Sequence, residues 1–160
     1  MTTLSASPAE LIAAYEQGPA ILRAAVDGLD AEALRARPIA GKMSSLEVVC
    51  HIVDSDQFMC DRIKRTIATD NPVLMGVESA SYPVPLRYHE RDLELDLLLF
   101  DVQRKQMAAD LRRLPAEAWS RTAEHSENGV QTLVEIFHHA VEHLEDHVLT
   151  IATKREAMGL

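Results

Sequence analysis

The amino-acid sequence predicts an all-α protein, in which four long helices pack as a four-helix bundle. Hydrophobic residues make up 47% of the 160 residues, but aromatic residues only 4%. Such a composition, rich in Leu, Ala, Val and Ile, favours helices over β-sandwiches. Apolar residues recur at helical spacing in four segments, and three of these segments begin with a capping box, a Ser or Thr followed three residues later by Glu. The length suits one domain spanning residues 1–160.

The first predicted helix begins at Ser7. The segment Ser7-Pro8-Ala9-Glu10 is a capping box with proline at the first helical position. Because proline disrupts a helix, Gly18-Pro19 predicts a kink. Residues 30–34 form a further short helical turn that ends before Pro38. The apolar face of the first helix comprises Leu11, Ile12, Tyr15, Ile21, Leu22 and Val26.

The second predicted helix begins at Ser44, with Glu47 completing its capping box, and runs to about Ala68. Residues 70–89 look irregular, since they combine three prolines and a glycine with small and polar residues. A connection of this length usually serves as a crossover or as a lid over a site. The apolar side of the helix comprises Leu46, Val49, Val53, Cys60, Ile63 and Ile67.

Two more helices complete the predicted bundle. The third spans roughly residues 90–113 and is followed by a short turn at 115–119 and a polar loop at 120–130. The fourth begins near Thr132, with Glu135 as its capping partner, and extends to about Ala157. Their stripes are Leu93, Leu97, Phe100, Arg104, Met107 and Leu111 in the third helix, and Leu133, Ile136, Phe137, Ala140, Leu144, Val148 and Ile151 in the fourth.

Charge and cysteine content exclude several classes of protein. The formal net charge of -9 repels phosphate groups, so neither nucleic acid nor an anionic membrane is an expected partner. No run approaches the roughly 18 apolar residues of a membrane span, and the first eight residues lack the basic and apolar regions of a secretory signal. Cys50 and Cys60 lie too far apart on one helix for a disulfide, so both are expected to be reduced in a cytoplasmic protein.

Histidine is the residue type that points to a function. Three of the seven histidines lie at positions 139, 143 and 147, so they fall on one helical face. Two imidazoles at this spacing can bind one metal ion, as in the zincin motif, although the glutamate that follows the first histidine of that motif is missing after His143. His143 and His147 lie closer to the core stripe than His139 does. They are therefore the better inward pair.

A tight metal site needs a third ligand. His51 is the only histidine on another long predicted helix, and a bundle can bring that helix against the fourth. Three histidines with an open position are the ligand count of a catalytic metal site. The spacing alone supports two interpretations equally, a metal site and ordinary hydrogen-bonded histidines at the edge of the core. Glu142 and Asp146 either accept a ring N–H from a ligand or lie on a solvated face. Surface positions are expected for the others, His89, His125 and His138.

Several segments resemble the DinB-like superfamily. Residues 41–56, GKMSSLEVVCHIVDSD, are similar to the signature of that family's second helix, and residues 139–151, HAVEHLEDHVLTI, resemble its last helix. The likeness runs from about residue 8 to about residue 155, and the order and spacing of the segments are more specific than any one of them. The matching residues in between are Ala68-Thr69-Asp70-Asn71-Pro72, Tyr88, Arg104, Leu114, Trp119 and Arg121-Thr122-Ala123-Glu124-His125.

The resemblance implies an up-down-down-up topology, with residues 70–89 as the long crossover between the second and third helices. It also implies one divalent metal ion bound by His51, His143 and His147, which match the family's ligand positions. Zinc and nickel are the first choices, with iron and manganese as alternatives. Many members are homodimers, so a homodimer is expected. Met43-Ser44 stands where the family often has Trp-Ser, a departure that leaves the ligands in place.

Three hypotheses about function follow. The first is a metal-dependent enzyme with a small-molecule substrate, either an S-transferase for a low-molecular-weight thiol or a hydrolase; fold and metal do not choose between them. Asp54, Glu47, Tyr88 and His125 are then the candidates for a base or a substrate-orienting group. The second is a non-catalytic dimeric bundle that binds a small ligand or serves a stress response. The third, a purely structural bundle, ranks last because all three ligand positions carry histidine.

Overall fold

Five helices and a small sheet make up the structure, a computed structural model that describes residues 6–160. The first five residues of the segment inspected for a secretory signal lie outside this range. Within it, no helix combines the length and the apolarity that a membrane crossing requires. The helices are α1 (Pro8–Val26), α2 (Ala31–Arg35), α3 (Ser45–Ala68), α4 (Leu93–Leu111) and α5 (Leu133–Ala157). The strands are β1 (Val73–Leu74), β2 (Thr122–His125) and β3 (Gly129–Thr132), and short 3-10 helices cover Ser79–Ser81, Tyr88–Glu90 and Ala116–Ser120.

The three predicted capping boxes are confirmed. In each, the side chain of the capping residue accepts a hydrogen bond from the helix backbone, and a glutamate side chain accepts one from the backbone of the capping residue. Helix α4 is capped differently, because the Asp92 side chain accepts a hydrogen bond from the backbone N–H of Leu95. These caps satisfy backbone groups that have no partner within the helix, which is why they mark the helix starts. The boxes pair Ser7 with Glu10, Ser44 with Glu47 and Thr132 with Glu135.

The four long helices pack as a bundle, in which α1 and α3 each lie between α4 and α5. Two contacts show how α3 and α4 run. Cys50 contacts Asp96, and Asp56 contacts Arg104. Since residue numbers rise together along the two helices, α3 and α4 point in the same direction. The connection through residues 69–92 must therefore return along the bundle.

The sheet corrects two expectations from the sequence. Strand β1 pairs in parallel with β2, and β2 pairs in antiparallel fashion with β3, so the supposedly irregular segment and the polar loop are joined. Along β2, Ala123 and His125 are buried while Glu124 between them is exposed. Gly129 opens β3 with a φ of 73°, a conformation that glycine adopts without strain. His125, expected at the surface, is therefore buried on the inner side of a strand.

Helix α1 is continuous from Pro8 to Val26, through the Gly18-Pro19 pair where the sequence predicts a kink. Proline has no N–H, so the Tyr15 carbonyl one turn earlier lacks its helical donor. The Arg104 guanidinium replaces that donor, with Nη1 3.1 Å from the carbonyl oxygen. Gly18 makes this possible, because the absence of a Cβ relieves the crowding before proline and leaves space for the guanidinium.

Arg104 lies at the boundary between two apolar clusters, one containing Tyr15 and the other Phe100. Its guanidinium carbon is 4.1 Å from the centroid of the Tyr15 ring and 4.3 Å from that of Phe100. Nη2 lies 2.9 Å from Asp56 Oδ1, and the arginine and aspartate side chains are 2% and 3% exposed. Nη2 also donates to the Ala140 carbonyl of α5 at 3.1 Å. One side chain of α4 thus joins all the other long helices.

Gly18→Ala is expected to destabilise the protein by about 1–3 kcal/mol. A Cβ would lie 2.8 Å from Leu144 Cδ2 and would overlap the Arg104 guanidinium. Helix propensity predicts the opposite sign, a gain of about 1 kcal/mol. Urea denaturation measures the change, with Ala20→Gly at an exposed position of α1 as the control that reports propensity alone. A more stable Gly18→Ala protein would contradict the packing argument.

Candidate functional site

Three histidines meet where α3 packs against α5. The capping box at Ser44 fixes the start of α3, and His51 follows in the second turn of that helix. His143 and His147 lie one turn apart near the middle of α5. His51 is 9% exposed, and the other two are partly buried. The helices therefore present all three side chains to one location at the edge of the core.

The three imidazole rings are close enough to share one ligand. Nε2 of His51 lies 3.2 Å from Nε2 of His147, and the ring centroids of His143 and His147 are 4.4 Å apart. One nitrogen from each of the three lies within 4.8 Å of the other two. Across residues 6–160, no other three His, Cys, Asp or Glu side chains bring their ligand atoms together in this way. His139, ranked lower on the sequence, lies outside the group.

Burial keeps this histidine cluster uncharged near neutral pH. It lowers the pKa of His51 to about 4 and that of His143 to about 3, and repulsion from neighbouring histidines adds to the shift. Burial also lowers the pKa of His147, although the charge of Asp146 opposes the effect. Neutral imidazole is the form that binds metal ions, because one of its nitrogens offers a free lone pair.

This set of donors fits a divalent metal ion. Bonds of about 2.0–2.1 Å in a tetrahedral site place two ligand nitrogens about 3.3 Å apart. The His51 and His147 nitrogens are separated by nearly this distance. Three imidazoles leave one position free for water or a substrate, as catalytic sites do. The geometry and the protonation state therefore both suit metal binding.

Glu142 and Asp146 do not orient the rings of the cluster, so the solvated-face interpretation is the better one for both. Glu142 pairs with His138 instead, whose Nδ1 lies 3.2 Å from Oε2. Asp146 is exposed and makes no hydrogen bond to the cluster within the described part of the chain. His138, expected to be exposed, is partly buried beside its partner.

Three of the four candidate bases are held by other contacts. The Tyr88 hydroxyl donates to Asp54 at 2.7 Å, and Arg91 donates two hydrogen bonds to the same carboxylate at 2.8 and 2.9 Å. Burial and the neighbouring carboxylate raise the pKa of Tyr88. Glu47 accepts hydrogen bonds from Arg37 and from the capping residue of α3. These side chains position α3 and are not free to transfer protons.

A polar cleft of about 530 Å³, the first cleft, opens beside His143. His125, the fourth candidate, lines it and accepts a hydrogen bond at Nδ1 from the backbone N–H of Glu127, 3.2 Å away. In the neutral ring Nε2 therefore carries the proton.

Ser55 also lines the first cleft, one turn after His51. Its Oγ is buried and has no hydrogen-bond partner among the described residues. A buried hydroxyl without a partner costs free energy unless water or a ligand satisfies it. Ser55 is not among the site residues predicted from the sequence, although its position four residues after His51 places it on the same helical face.

Metal-free protein is expected to lose stability as the pH falls from about 7.5 to about 5. The native pKa values of His51 and His143 lie below the ordinary 6.5, so the unfolded chain takes up protons that the native chain refuses. Each such group removes up to about 1.4 kcal/mol per pH unit, beginning near pH 6.5 and continuing towards about pH 4. Urea denaturation at the two pH values measures the loss. His143→Gln should reduce it and His89→Gln, on an exposed ring, should not; an unchanged loss in His143→Gln would contradict the argument.

Comparisons with known proteins support this fold. The family model of the DinB superfamily matches residues 14–151. Among solved structures, YfiT from Bacillus subtilis is similar, with a TM-score of 0.91 and 22% identity over 99% of this chain and 93% of that one. YfiT is described as a probable metal-dependent hydrolase with an unusual four-helix bundle topology. No curated protein sequence matches the chain. Because the family model covers most of its length, the chain belongs to the DinB superfamily.

Proposed function

We propose that this protein is a metal-dependent hydrolase, which holds one divalent ion through His51, His143 and His147. The observation that carries the proposal is the convergence of three neutral imidazoles, with two of their nitrogens 3.2 Å apart. Zinc and nickel suit this donor set. When bound, the ion would supply Lewis-acid chemistry, which polarises a carbonyl group and makes water or a thiol more acidic.

Residues of the first cleft would hold and orient the substrate. The volume of the cleft, about 530 Å³, is in the range of small-molecule sites. The unpartnered Oγ of Ser55 would form a hydrogen bond to a polar group of the substrate. His125, with its proton on Nε2, would donate a hydrogen bond to an oxygen of the substrate. Both side chains are buried and therefore act with little competition from water.

An assay of metal-loaded protein tests the proposal. Zinc- and nickel-loaded samples are offered a panel of p-nitrophenyl esters and, separately, glutathione with a chloro-dinitrobenzene electrophile. Ester hydrolysis is expected to rise with metal content and to fall to the background of metal-free protein in His51→Ala. Metal-free protein gives the background, because imidazoles alone cleave activated esters slowly. His89→Ala, which alters an exposed histidine outside the cluster, is expected to keep the activity.

The outcomes separate the remaining functional classes. Metal-dependent reaction of the thiol, without ester hydrolysis, would replace the hydrolase with a thiol S-transferase, because the same ion can acidify a substrate thiol. Stoichiometric metal without either activity would favour a non-catalytic ligand-binding bundle. Ester hydrolysis that is the same with and without metal would contradict the metal-dependent mechanism.

We also propose that the protein forms a homodimer in the cytoplasm. Both cysteines are free and buried, as in proteins of reducing compartments. Helix α4 carries an apolar stripe on its outer face, which would suit contact with a second copy. Light scattering is expected to give a dimer mass for the wild type and a monomer mass for a variant with Leu98→Glu and Val102→Glu. A monomeric wild type would contradict the proposal. The stripe consists of the exposed residues Leu95, Leu98, Leu99 and Val102.

A further inference from the structure

A second cleft adjoins the histidine cluster at His147, whereas the first cleft adjoins it at His143. The second cleft has a volume of about 360 Å³, which is enough for a small ligand. Its walls come from residues 39–48, around the start of α3, and from the second half of α5. The two clefts thus approach the cluster from different parts of α5.

The charges that line the two clefts differ in sign. The chain has 25 acidic and 16 basic residues, yet Lys42 and Lys154 line the second cleft and no carboxylate does. The first cleft is lined by one arginine and by three glutamates, Glu127, Glu135 and Glu142. A small anion is therefore attracted to the second cleft and repelled from the first.

Lys154 is a buried cation without a counter-ion in the described part of the chain. The residue is only 4% exposed, and in this part of the chain its side chain makes one hydrogen bond, which Nζ donates to the Thr150 carbonyl at 3.1 Å. An ammonium group has three donors, so it retains capacity for a ligand. Burial lowers the pKa of Lys154, and the charge of Lys42 adds to this shift. Burying an unpaired charge costs free energy, which an anionic ligand would offset.

The remaining surface of the second cleft suits an apolar body beside the anion. Nζ of Lys154 lies at the level of Thr150, three residues after His147, which is about 4.5 Å along the helix axis. An anion bound to this ammonium would therefore lie close to the histidine cluster. The apolar side chains of the lining are Ile39, Met43, Val48 and Leu149.

We infer that the second cleft binds a small amphipathic anion, whose charged group pairs with Lys154 and Lys42 and whose apolar body packs against the four apolar side chains. This binding does not rest on the function proposed above, whose substrate would lie in the first cleft. Lys154 would then serve ligand binding and not the packing of the bundle.

Titration of the whole protein with hexanoate tests this inference. Binding is monitored by nitrogen–proton correlation NMR spectra of isotope-labelled protein. Hexanoate is expected to shift the backbone signals of Met43, Thr150 and Thr153 in a saturable way, in both metal-free and zinc-loaded samples. The neutral analogue hexanamide should bind at least about tenfold more weakly, since it cannot pair with the ammonium. Lys154→Met should weaken hexanoate binding by at least about tenfold and leave the binding of hexanamide unchanged.

Two controls keep the result interpretable. Lys105→Met removes an exposed lysine of α4, which is paired with Asp101, and should leave hexanoate binding unchanged. Lys154→Met should be at least as resistant to urea as the wild type, because an unpaired buried charge has been removed. Binding of hexanoate only in the presence of zinc, equal binding of hexanamide, or full binding by Lys154→Met would each overturn the inference. Failure of metal binding, measured separately by elemental analysis, would affect only the proposed hydrolase.

Discussion

His147→Ala is expected to lose tight binding of a divalent ion, while the wild type binds about one zinc or nickel ion per chain. Even residues that only orient a metal ligand contribute 10- to 100-fold in affinity, so removing a ligand itself should cost at least about 100-fold. The loss should be large here because Nε2 of His147 lies 3.2 Å from Nε2 of His51, nearly the separation of two nitrogens on one tetrahedral ion. Elemental analysis of untagged protein gives the stoichiometry, and calorimetric titration gives the affinity.

His139→Ala is the matched control for this prediction. His139 lies one turn before His143 on α5, with the two ring centroids 6.1 Å apart, but outside the cluster. The control variant should keep the metal. At zinc concentrations about 100-fold above the dissociation constant of the wild type, the wild type and the control should gain about 2.7 kcal/mol of stability, and His147→Ala should gain at most about 0.4 kcal/mol. A wild type that binds neither zinc nor nickel would contradict the metalloenzyme proposal. A ligand-binding or a structural bundle would then be the remaining hypotheses.

The long helices are predictable from the sequence because their signals are local. A capping box places the start of a helix within four residues of chain, and apolar residues at helical spacing give the face that packs inward. The starts at Ser7, Ser44 and Thr132 are confirmed for this reason. The histidine pair of α5 is predictable on the same grounds, since residues four apart must share a face.

The parts that the sequence misses depend on contacts between distant segments. Strand β1 has only two residues and forms by pairing with β2, some fifty residues later. The burial of His125 follows from that pairing. The polar composition of residues 120–130 predicts exposure, because it carries no information about a strand that pairs from another segment. The Gly18-Pro19 pair predicts only a kink, whereas the donor that replaces the proline N–H comes from Arg104 on another helix. The second cleft likewise combines residues 39–48 with residues 147–154, which are distant in the sequence.

Arg104 of α4 contacts both α3, through its buried ion pair with Asp56, and α5, through the Ala140 carbonyl. Asp56 follows Ser55 on α3, and the Ala140 carbonyl that Arg104 contacts lies one turn before Leu144 on α5. The pair therefore ties together the two helices that supply the histidine cluster. The same carboxylate also accepts a hydrogen bond from Gln103 at 2.8 Å. Disrupting the pair should loosen the cluster as well as the core.

Arg104→Met is expected to lower the free energy of unfolding by about 3–5 kcal/mol, because it leaves the Asp56 carboxylate buried without its cation. Urea denaturation measures the loss. Arg112→Met, on the same helix, removes an exposed ion pair with Glu16 and should change the urea midpoint little. Adding Asp56→Leu to Arg104→Met should recover part of the loss, since two apolar side chains can replace a buried pair where one unpaired charge cannot be accommodated. If the double variant recovers stability, the unpaired Asp56 carboxylate is the cause of the loss, and this holds even if Arg104→Met alone does not fold. If the double variant is no more stable than the single one, the contacts of Arg104 with the Tyr15 and Ala140 carbonyls account for the loss.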